Sequence, residues 1–274
     1  MPELPEAENI GRALKTNLVN QEIAKVEVFS PKMRTSLLPL LDAKLEGLTI
    51  VDVRRRARYL VVDLSDKRAL LMHFGMSGVV RIEDESVPKR KHEHVFIHLK
   101  NGKIFRFECT RRFSLLECVT LGEDNWPLAL ANLGVEPLEE NFTSQYLFEK
   151  SRKVKGAVKN FIMDNNVVTG IGNIYATEVL FACKIHPQRP ASSLSKTECD
   201  NIVKYAKKIL TRAIELGGTT ISDFQNVDGS EGKFVQELNI YGKKGQKCVV
   251  CNSIVETVTI GGRTSAFCPS CQKL

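Results

Sequence analysis

Short runs that are apolar throughout or alternate with polar residues dominate the first 130 or so residues. YLVVDL (59–64), ALLMHF (69–74), HVFIHL (94–99) and KIFRFE (103–108) are separated by turn formers such as Ser65-Asp66-Lys67 and Asn101-Gly102, as expected of strands with a buried face. Their regular spacing predicts a sandwich or a barrel. One helix precedes them, over 3–18, where Ile10, Leu14 and Leu18 recur at steps of four. Past LGVEPL (133–138) the period becomes helical. Segments 143–150, 156–165, 173–183 and 195–216 carry apolar faces, broken at NNVVTGIGN and IHPQRP. GGTT (217–220) closes that section, NVDGSEGKF (226–234) reads as a mobile loop, and a small cysteine-rich unit begins near Leu238.

A chain of 274 residues has room for two or three domains, each with a core. No apolar run approaches the ~20 residues of a membrane-spanning helix, and the opening MPELPEAEN lacks the apolar stretch of a secretion signal. A cytosolic protein is therefore expected. The balance of 39 Lys+Arg against 32 Asp+Glu gives a formal net charge of +7, which permits a polyanion partner without requiring one. Basic residues gather at Arg54-Arg55-Arg56, Lys89-Arg90-Lys91, Arg152-Lys153-Val154-Lys155 and Lys243-Lys244. Any one cluster is an ordinary solvated patch; four along the chain fit a groove for a nucleic-acid backbone better. Of eight cysteines, Cys109, Cys118, Cys183 and Cys199 are scattered and read as free thiols.

The other four form C-x2-C-x16-C-x2-C: Cys248, Cys251, Cys268 and Cys271. Two such knuckles place four thiolates around one Zn2+, with no open position, which defines a structural site. Disulfides are the alternative, disfavoured without a secretion signal. Between the knuckles, VETVTIGGRTSAFC (255–268) reads as a hairpin turning at Gly261-Gly262, with Arg263 just past the tip. An arginine held there can probe phosphates, though a lone turn arginine is usually just solvated.

Weaker signals lie elsewhere. In TGIGNIYATEVLF (169–181), Gly170 and Gly172 permit a tight turn and Asn173 is placed to cap the following helix, whose free N–H groups can hold a phosphate. Simple helix packing would also explain it. Met76 sits between glycines in MHFGMSG, and Arg111-Arg112-Phe113 directly follows the strand KIFRFE. Apolar and aromatic wedges beside an arginine suit a protein that unstacks bases, although either residue alone is more commonly a packing residue.

The N-terminus carries the most chemistry per residue. Removal of Met1 would free the secondary amine of Pro2. An α-amino group with a pKa near ~7.7–8.0 is partly unprotonated at neutral pH. Attack on a sugar C1′ would give an iminium ion, an electron sink for breaking C–O bonds. Glu3 beside it can shuttle protons, and Glu6 lies one turn along on the same side. Proline and glutamates are also ordinary helix-start residues.

PELPE at the extreme N-terminus, HFGMSG, RRF, LGVEPL, KNFIMDNNVVTGIGNIYATEVLFACKIHP, GGTTISDF and the four-cysteine tail occur together and in that order. Over essentially its whole length the chain thus resembles the bacterial formamidopyrimidine-DNA glycosylases, repair enzymes that excise oxidised purines such as 8-oxoguanine. The resemblance implies a multidomain α+β protein. Residues 1–132 would be an N-terminal β-sandwich with flanking helices, and 133–222 a helix–two-turn–helix domain. A mobile linker over 223–237 and a zinc-finger β-hairpin over 238–274 would follow, with duplex DNA in a cleft between lobes. It also implies a monomer acting on DNA in the cytoplasm, by base release and β,δ-elimination. Pro2 matches the Schiff-base nucleophile and Glu3 the catalytic acid. Met76, Arg111 and Phe113 match residues that fill the space left by the everted nucleotide. His73, Lys159, Asn173 and Arg263 match residues gripping the backbone, and His92 and Arg111 further DNA contacts. Arg263 also corresponds to an arginine assigned to the second elimination.

Two segments depart from the family pattern. RRRARYL places Arg58 where the family carries a lysine assigned to proton donation in β-elimination. A guanidinium can clamp phosphate but is a poor proton donor. The family's Asp-Pro before Arg-Arg-Phe is Cys109-Thr110 here, and the glycine after it is Ser114. Three other readings compete: an endonuclease VIII-like glycosylase for oxidised pyrimidines, a lesion-binding protein with a weakened lyase step, and a zinc-ribbon DNA-binding module without chemistry. The leucine of PELPE and the full Met-Arg-Phe set favour the purine branch. Retention of Pro2 and Glu3 disfavours the other two.

Overall fold

The computed structural model describes residues 2–219 and 232–274. They divide into two compact units, one of residues up to 131 plus 217–233, the other of 132–216 plus 234–274.

The first unit begins with helix α1 (Leu4–Leu18). Glu3 caps it and exchanges hydrogen bonds with Glu6 in a capping box, satisfying two otherwise orphaned N–H groups. Leu4, Ala7, Ile10, Leu14 and Leu18 face inward at helical spacing. After α1 come strand β1 (Ile23–Val28), the short helix α2 (Pro39–Asp42) and seven further strands. These are β2 (Ile50–Arg56), β3 (Tyr59–Leu64), β4 (Arg68–His73), β5 (Gly78–Asp84), β6 (Glu93–Leu99), β7 (Lys103–Cys109) and β8 (Leu115–Thr120). They form two antiparallel sheets, β1-β6-β7-β5 and β2-β3-β4-β8. Leu60, Val62, Leu70 and Met72 from one sheet share a core with Val95, Ile97, Phe105 and Phe107 from the other. This is the sandwich alternative of the strand pattern. Register fixes one feature of consequence. His73 pairs with Leu115 in one sheet and Gly78 with Cys109 in the other. The segments 74–77 and 110–114, which both cross between sheets, therefore lie side by side.

In the second unit the helices are α3 (Ser144–Ser151), α4 (Val158–Ile162), α5 (Asn173–Ala182) and α6 (Lys196–Glu215). Thr143 caps α3 and the Ser195/Glu198 pair caps α6. Helix α4 is shorter than the segment 156–165 read from the pattern. Asp164 accepts the Asn166 backbone N–H at 2.9 Å, which closes a turn in place of another helical one. Strands β9 (Glu256–Ile260) and β10 (Arg263–Phe267) form the terminal hairpin. The loop expected over 223–237 lies, up to residue 231, outside the described residues. Its last part is a 3-10 turn, Phe234–Glu237, seated by buried Phe234 against Tyr175, with ring centroids 5.7 Å apart. Among the described residues no helix is long and apolar enough to cross a membrane.

The basic clusters serve the fold more than expected. Arg54 is bidentate on Asp63, Arg55 meets Glu8, and Arg90 bridges Glu83 and Glu93. Arg152 lies 3.9 Å over the Phe148 ring and bonds the Leu194 carbonyl. These four guanidiniums are held by partners within the protein, whereas Lys91, Lys153, Lys155 and Lys244 of the same clusters are exposed.

Candidate functional site

Three constellations in the first unit and two in the second gather the residues singled out by sequence.

At the N-terminus Pro2, Glu3 and Glu6 are all buried. Glu6 Oε2 accepts the Glu3 backbone N–H at 2.8 Å, and its Oε1 accepts the Thr219 N–H at 2.8 Å. Gly218, at φ +83°, lies so close that an added Cβ would come within 2.9 Å of Glu6 Oε1. The Glu6 carboxylate thus joins the start of α1 to the segment 217–219. Thr219 escaped sequence reasoning because nothing local marks a partner more than two hundred residues away.

Arg58 occupies the turn between β2 and β3, after Ala57 at φ +54°. Its charge acts on His73 at the end of β4. Burial, reinforced by Arg58 and Arg34, pulls the His73 pKa down to about 4. His73 Nδ1 accepts the Gly75 N–H at 3.1 Å, so the neutral ring carries its proton on Nε2, facing outward from that bond as a donor.

The adjacent cross-over turns carry Met76, Arg111 and Phe113. Met76 is 48% exposed and Phe113 52%, which places two large apolar side chains at the surface on adjoining turns. Gly75, at φ +55°, touches the backbone of Phe113 so closely that a Cβ would sit 2.5 Å from its carbonyl oxygen. The Arg111 guanidinium lies 5.5 Å from the Phe113 ring centroid. His92 is half-buried at the entry to β6, and its carbonyl accepts the Cys109 N–H at 3.0 Å.

In the second unit Lys159 of α4 is fully buried, and its Nζ donates to Asn173 Oδ1 at 2.6 Å and Ser265 Oγ at 2.7 Å. The helix start differs from expectation. Gly172 is the cap residue, with φ −116° and ψ −157°, and Asn173 is the first helical residue. The side chain of Asn173 is thereby free of capping duty, and its Nδ2 donates to the Thr264 carbonyl at 3.3 Å. Gly261 and Gly262, at φ +55° and +73°, make the two-residue turn that places Arg263, exposed, at the hairpin tip. A Cβ on Gly261 would meet Asn160 Oδ1 at 2.7 Å, so the hairpin tip lies close against the Asn160 side chain of α4. Ser265 was not singled out by sequence; it is the first of three consecutive buried residues in β10.

The cysteines meet as their spacing demands. The Sγ atoms of Cys248, Cys251, Cys268 and Cys271 all lie within 4.8 Å of one another, and none is in a disulfide. Tetrahedral zinc with Zn–S of about 2.3 Å requires S···S separations of about 3.8 Å, so the set fits one structural Zn2+ with no ligand to spare. Hydrogen bonds from Ser253 lower the pKa of the Cys251 thiol, while burial raises those of Cys268 and Cys271, so the four sulfurs share their protons unevenly. Buried His186 stacks edge-on against Phe267 at 4.5 Å, and Gln272 donates to the Ile185 carbonyl at 2.9 Å. The metal unit is thus keyed to the chain that follows α5.

Comparison with known proteins agrees with this arrangement along the whole chain. Three family models match in order: the formamidopyrimidine-DNA glycosylase N-terminal domain over residues 1–116, the H2TH domain of the same glycosylases over 133–225, and a zinc finger found in FPG and IleRS over 245–274. The chain is 46% identical to a formamidopyrimidine-DNA glycosylase of Actinobacillus succinogenes over 273 residues, covering 100% of both proteins. It is 45% identical to one of Glaesserella parasuis over 278 residues, covering 100% of this chain and 99% of that one. Among solved structures, a Lactococcus lactis FPG mutant in complex with a Fapy-dG containing DNA superposes with TM-score 0.91 at 32% identity. MutM in complex with carbocyclic 8-oxo-G containing DNA gives 0.90 at 32%, and each covers 100% of both chains.

Proposed function

The chain belongs to the formamidopyrimidine-DNA glycosylase family, and on that premise we propose that it is a bifunctional DNA glycosylase and abasic-site lyase of base excision repair. Its substrate is duplex DNA carrying oxidised purines, 8-oxoguanine and formamidopyrimidines, and the enzyme acts as a monomer in a bacterial cytoplasm. The observation that carries this reading is the ordered match of all three family models along a chain that relatives cover from end to end.

In this reading Pro2, freed of Met1, attacks C1′ of the damaged nucleotide while Glu3 delivers protons. The base departs with its bonding electron pair and takes up a proton, leaving a cationic iminium between Pro2 and the sugar. Loss of a C2′ proton then breaks the C3′–O bond, a second elimination breaks C5′–O, and water hydrolyses the iminium to return the amine. Glu6, with one oxygen on Glu3 N–H and the other on Thr219 N–H, acts as a positioning residue for this segment. Arg58 and neutral His73 hold phosphate, as do Asn173 and Arg263 on the second unit, where buried Lys159 fixes the Asn173 side chain from within. Arg263 assists the second elimination. Met76, Arg111 and Phe113 fill the space vacated in the duplex, and His92 adds a DNA contact. Cys248, Cys251, Cys268 and Cys271 hold a zinc ion, which cross-links the base of the hairpin and takes no part in bond breaking.

The test is base release from duplexes carrying 8-oxoguanine, formamidopyrimidine or an oxidised pyrimidine. Release of the purine lesions with strand cleavage is expected. Preference for the pyrimidine would move the chain to the endonuclease VIII-like branch.

A further inference from the structure

The two cross-over turns that carry Met76, Arg111 and Phe113 are joined by a line of small polar side chains. Ser77 Oγ accepts the Arg111 backbone N–H at 2.9 Å and lies 3.7 Å from Cys109 Sγ. Cys109 Sγ is 2.9 Å from Ser114 Oγ, which in turn is 2.7 Å from the Phe74 carbonyl oxygen. A hydroxyl has one proton, so if Ser114 donates to the carbonyl, the thiol donates to Ser114 and Ser77 to the thiol. The result is a continuous relay from the Arg111 N–H to the Phe74 C=O, running across both turns. It is sealed from water: Cys109 and Ser114 are fully buried and Ser77 nearly so. The backbone of Cys109 is fixed as well, its N–H on the His92 carbonyl and its carbonyl 2.9 Å from His94 Nε2.

Packing alone does not explain this line. Met76 and Phe113 are each about half exposed, so the backbones that carry them do much to set their aim. The backbone of the second turn includes Arg112 in the left-handed region, at φ +58°, a conformation that needs outside support in a non-glycine residue. Buried hydroxyls and a thiol in mutual contact give direction as well as contact, and a satisfied buried network fixes a single geometry.

We propose that the Ser77–Cys109–Ser114 line keys the two turns together, so that Met76, Arg111 and Phe113 enter an opened base pair as one unit. Cys109 and Ser114 are then positioning residues for base eversion. This inference rests on the glycosylase reading, and it concerns two positions, 109 and 114, at which the chain departs from its family's pattern.

The test uses the full-length, zinc-loaded protein and three variants: Ser114→Ala, Cys109→Val and Cys109→Ser. Single-turnover base release is followed on a duplex with 8-oxoguanine opposite cytosine. Borohydride trapping is followed on a single-stranded oligonucleotide with a preformed abasic site, where no pair has to be opened. A second duplex carries 2-aminopurine opposite the lesion, whose emission rises as it unstacks. Ser114→Ala and Cys109→Val are expected to slow excision about five- to tenfold, the loss of one buried hydrogen bond. The emission rise should shrink, while single-strand trapping stays within about twofold of wild type. Cys109→Ser, which keeps a donor and an acceptor, should retain most of the duplex rate. Duplex excision at wild-type rates in Ser114→Ala and Cys109→Val would overturn the inference. So would parallel loss on both substrates, or failure of Cys109→Ser to restore function. Absence of excision by the wild-type protein would instead contradict the glycosylase reading itself.

Discussion

Glu6 accepts the backbone N–H of Glu3 at 2.8 Å, and its second oxygen reaches Thr219 at the same distance. A carboxylate used twice by the backbone cannot be replaced silently. In Glu6→Gln one acceptor becomes a donor facing an N–H, at a cost of about 1–3 kcal/mol for the group left unpaired. We expect Glu6→Gln to lower the thermal midpoint and to slow excision about tenfold through displacement of Glu3. Glu3→Gln should keep DNA binding and fold yet lose base release, because the isostere lacks the titrating proton. Thermal melting and single-turnover excision on the two variants separate the roles. Equal behaviour would contradict the assignment.

Arg58 divides holding a phosphate from giving up a proton. A guanidinium does the first and is poor at the second. Wild type is expected to release base at a normal rate and to pass more slowly through elimination than Arg58→Lys does. Scoring base release and strand nicking separately checks this; identical rates at both steps in both proteins would show that position 58 serves only as a phosphate clamp.

The pH dependence of folding should carry the signature of His73. Its folded pKa of about 4 lies below the ordinary value of 6.5. The unfolded chain therefore takes up this proton first as pH falls. Stability is complete above about 6.5 and is lost as pH drops toward 4, by on the order of 2–3 kcal/mol. Burial lowers His94 and His186 in the same direction. His73→Phe, which keeps a ring beside Tyr59, should consequently reduce the slope of unfolding free energy against pH without abolishing it. An unchanged slope between pH 4 and 6.5 would mean that His73 titrates normally.

Much of this was legible in the sequence wherever one residue type dominates its surroundings. The strand Tyr59–Leu64 and the helix over 195–216 follow directly from their apolar spacing, and the four cysteines announce their own geometry. Strands β2 and β5 escaped notice because Arg54, Arg55 and Arg81 interrupt the apolar pattern. Those arginines are accommodated by Asp63, Glu8 and Glu108, partners on other elements. The Lys159–Ser265 and Glu6–Thr219 bonds are invisible for the same reason, since they join segments that only the fold brings together. The cap at Gly172 was misassigned to Asn173 because asparagine is the stronger capping residue in general. Here its side chain is taken by Lys159.

Zinc should prove structural. One equivalent is expected per chain, and chelation should strip DNA affinity by releasing the hairpin that carries Arg263. A metal-free protein that binds lesion-containing duplex as the loaded form does would refute this.

The central claim is that Pro2 is the nucleophile. Borohydride added during reaction with an abasic-site duplex reduces the iminium to a stable amine, and digestion followed by mass spectrometry locates the cross-link. The account predicts a covalent protein–DNA adduct on the N-terminal peptide, at the nitrogen of Pro2. An adduct on a lysine, or strand cleavage with no adduct trapped, would contradict it.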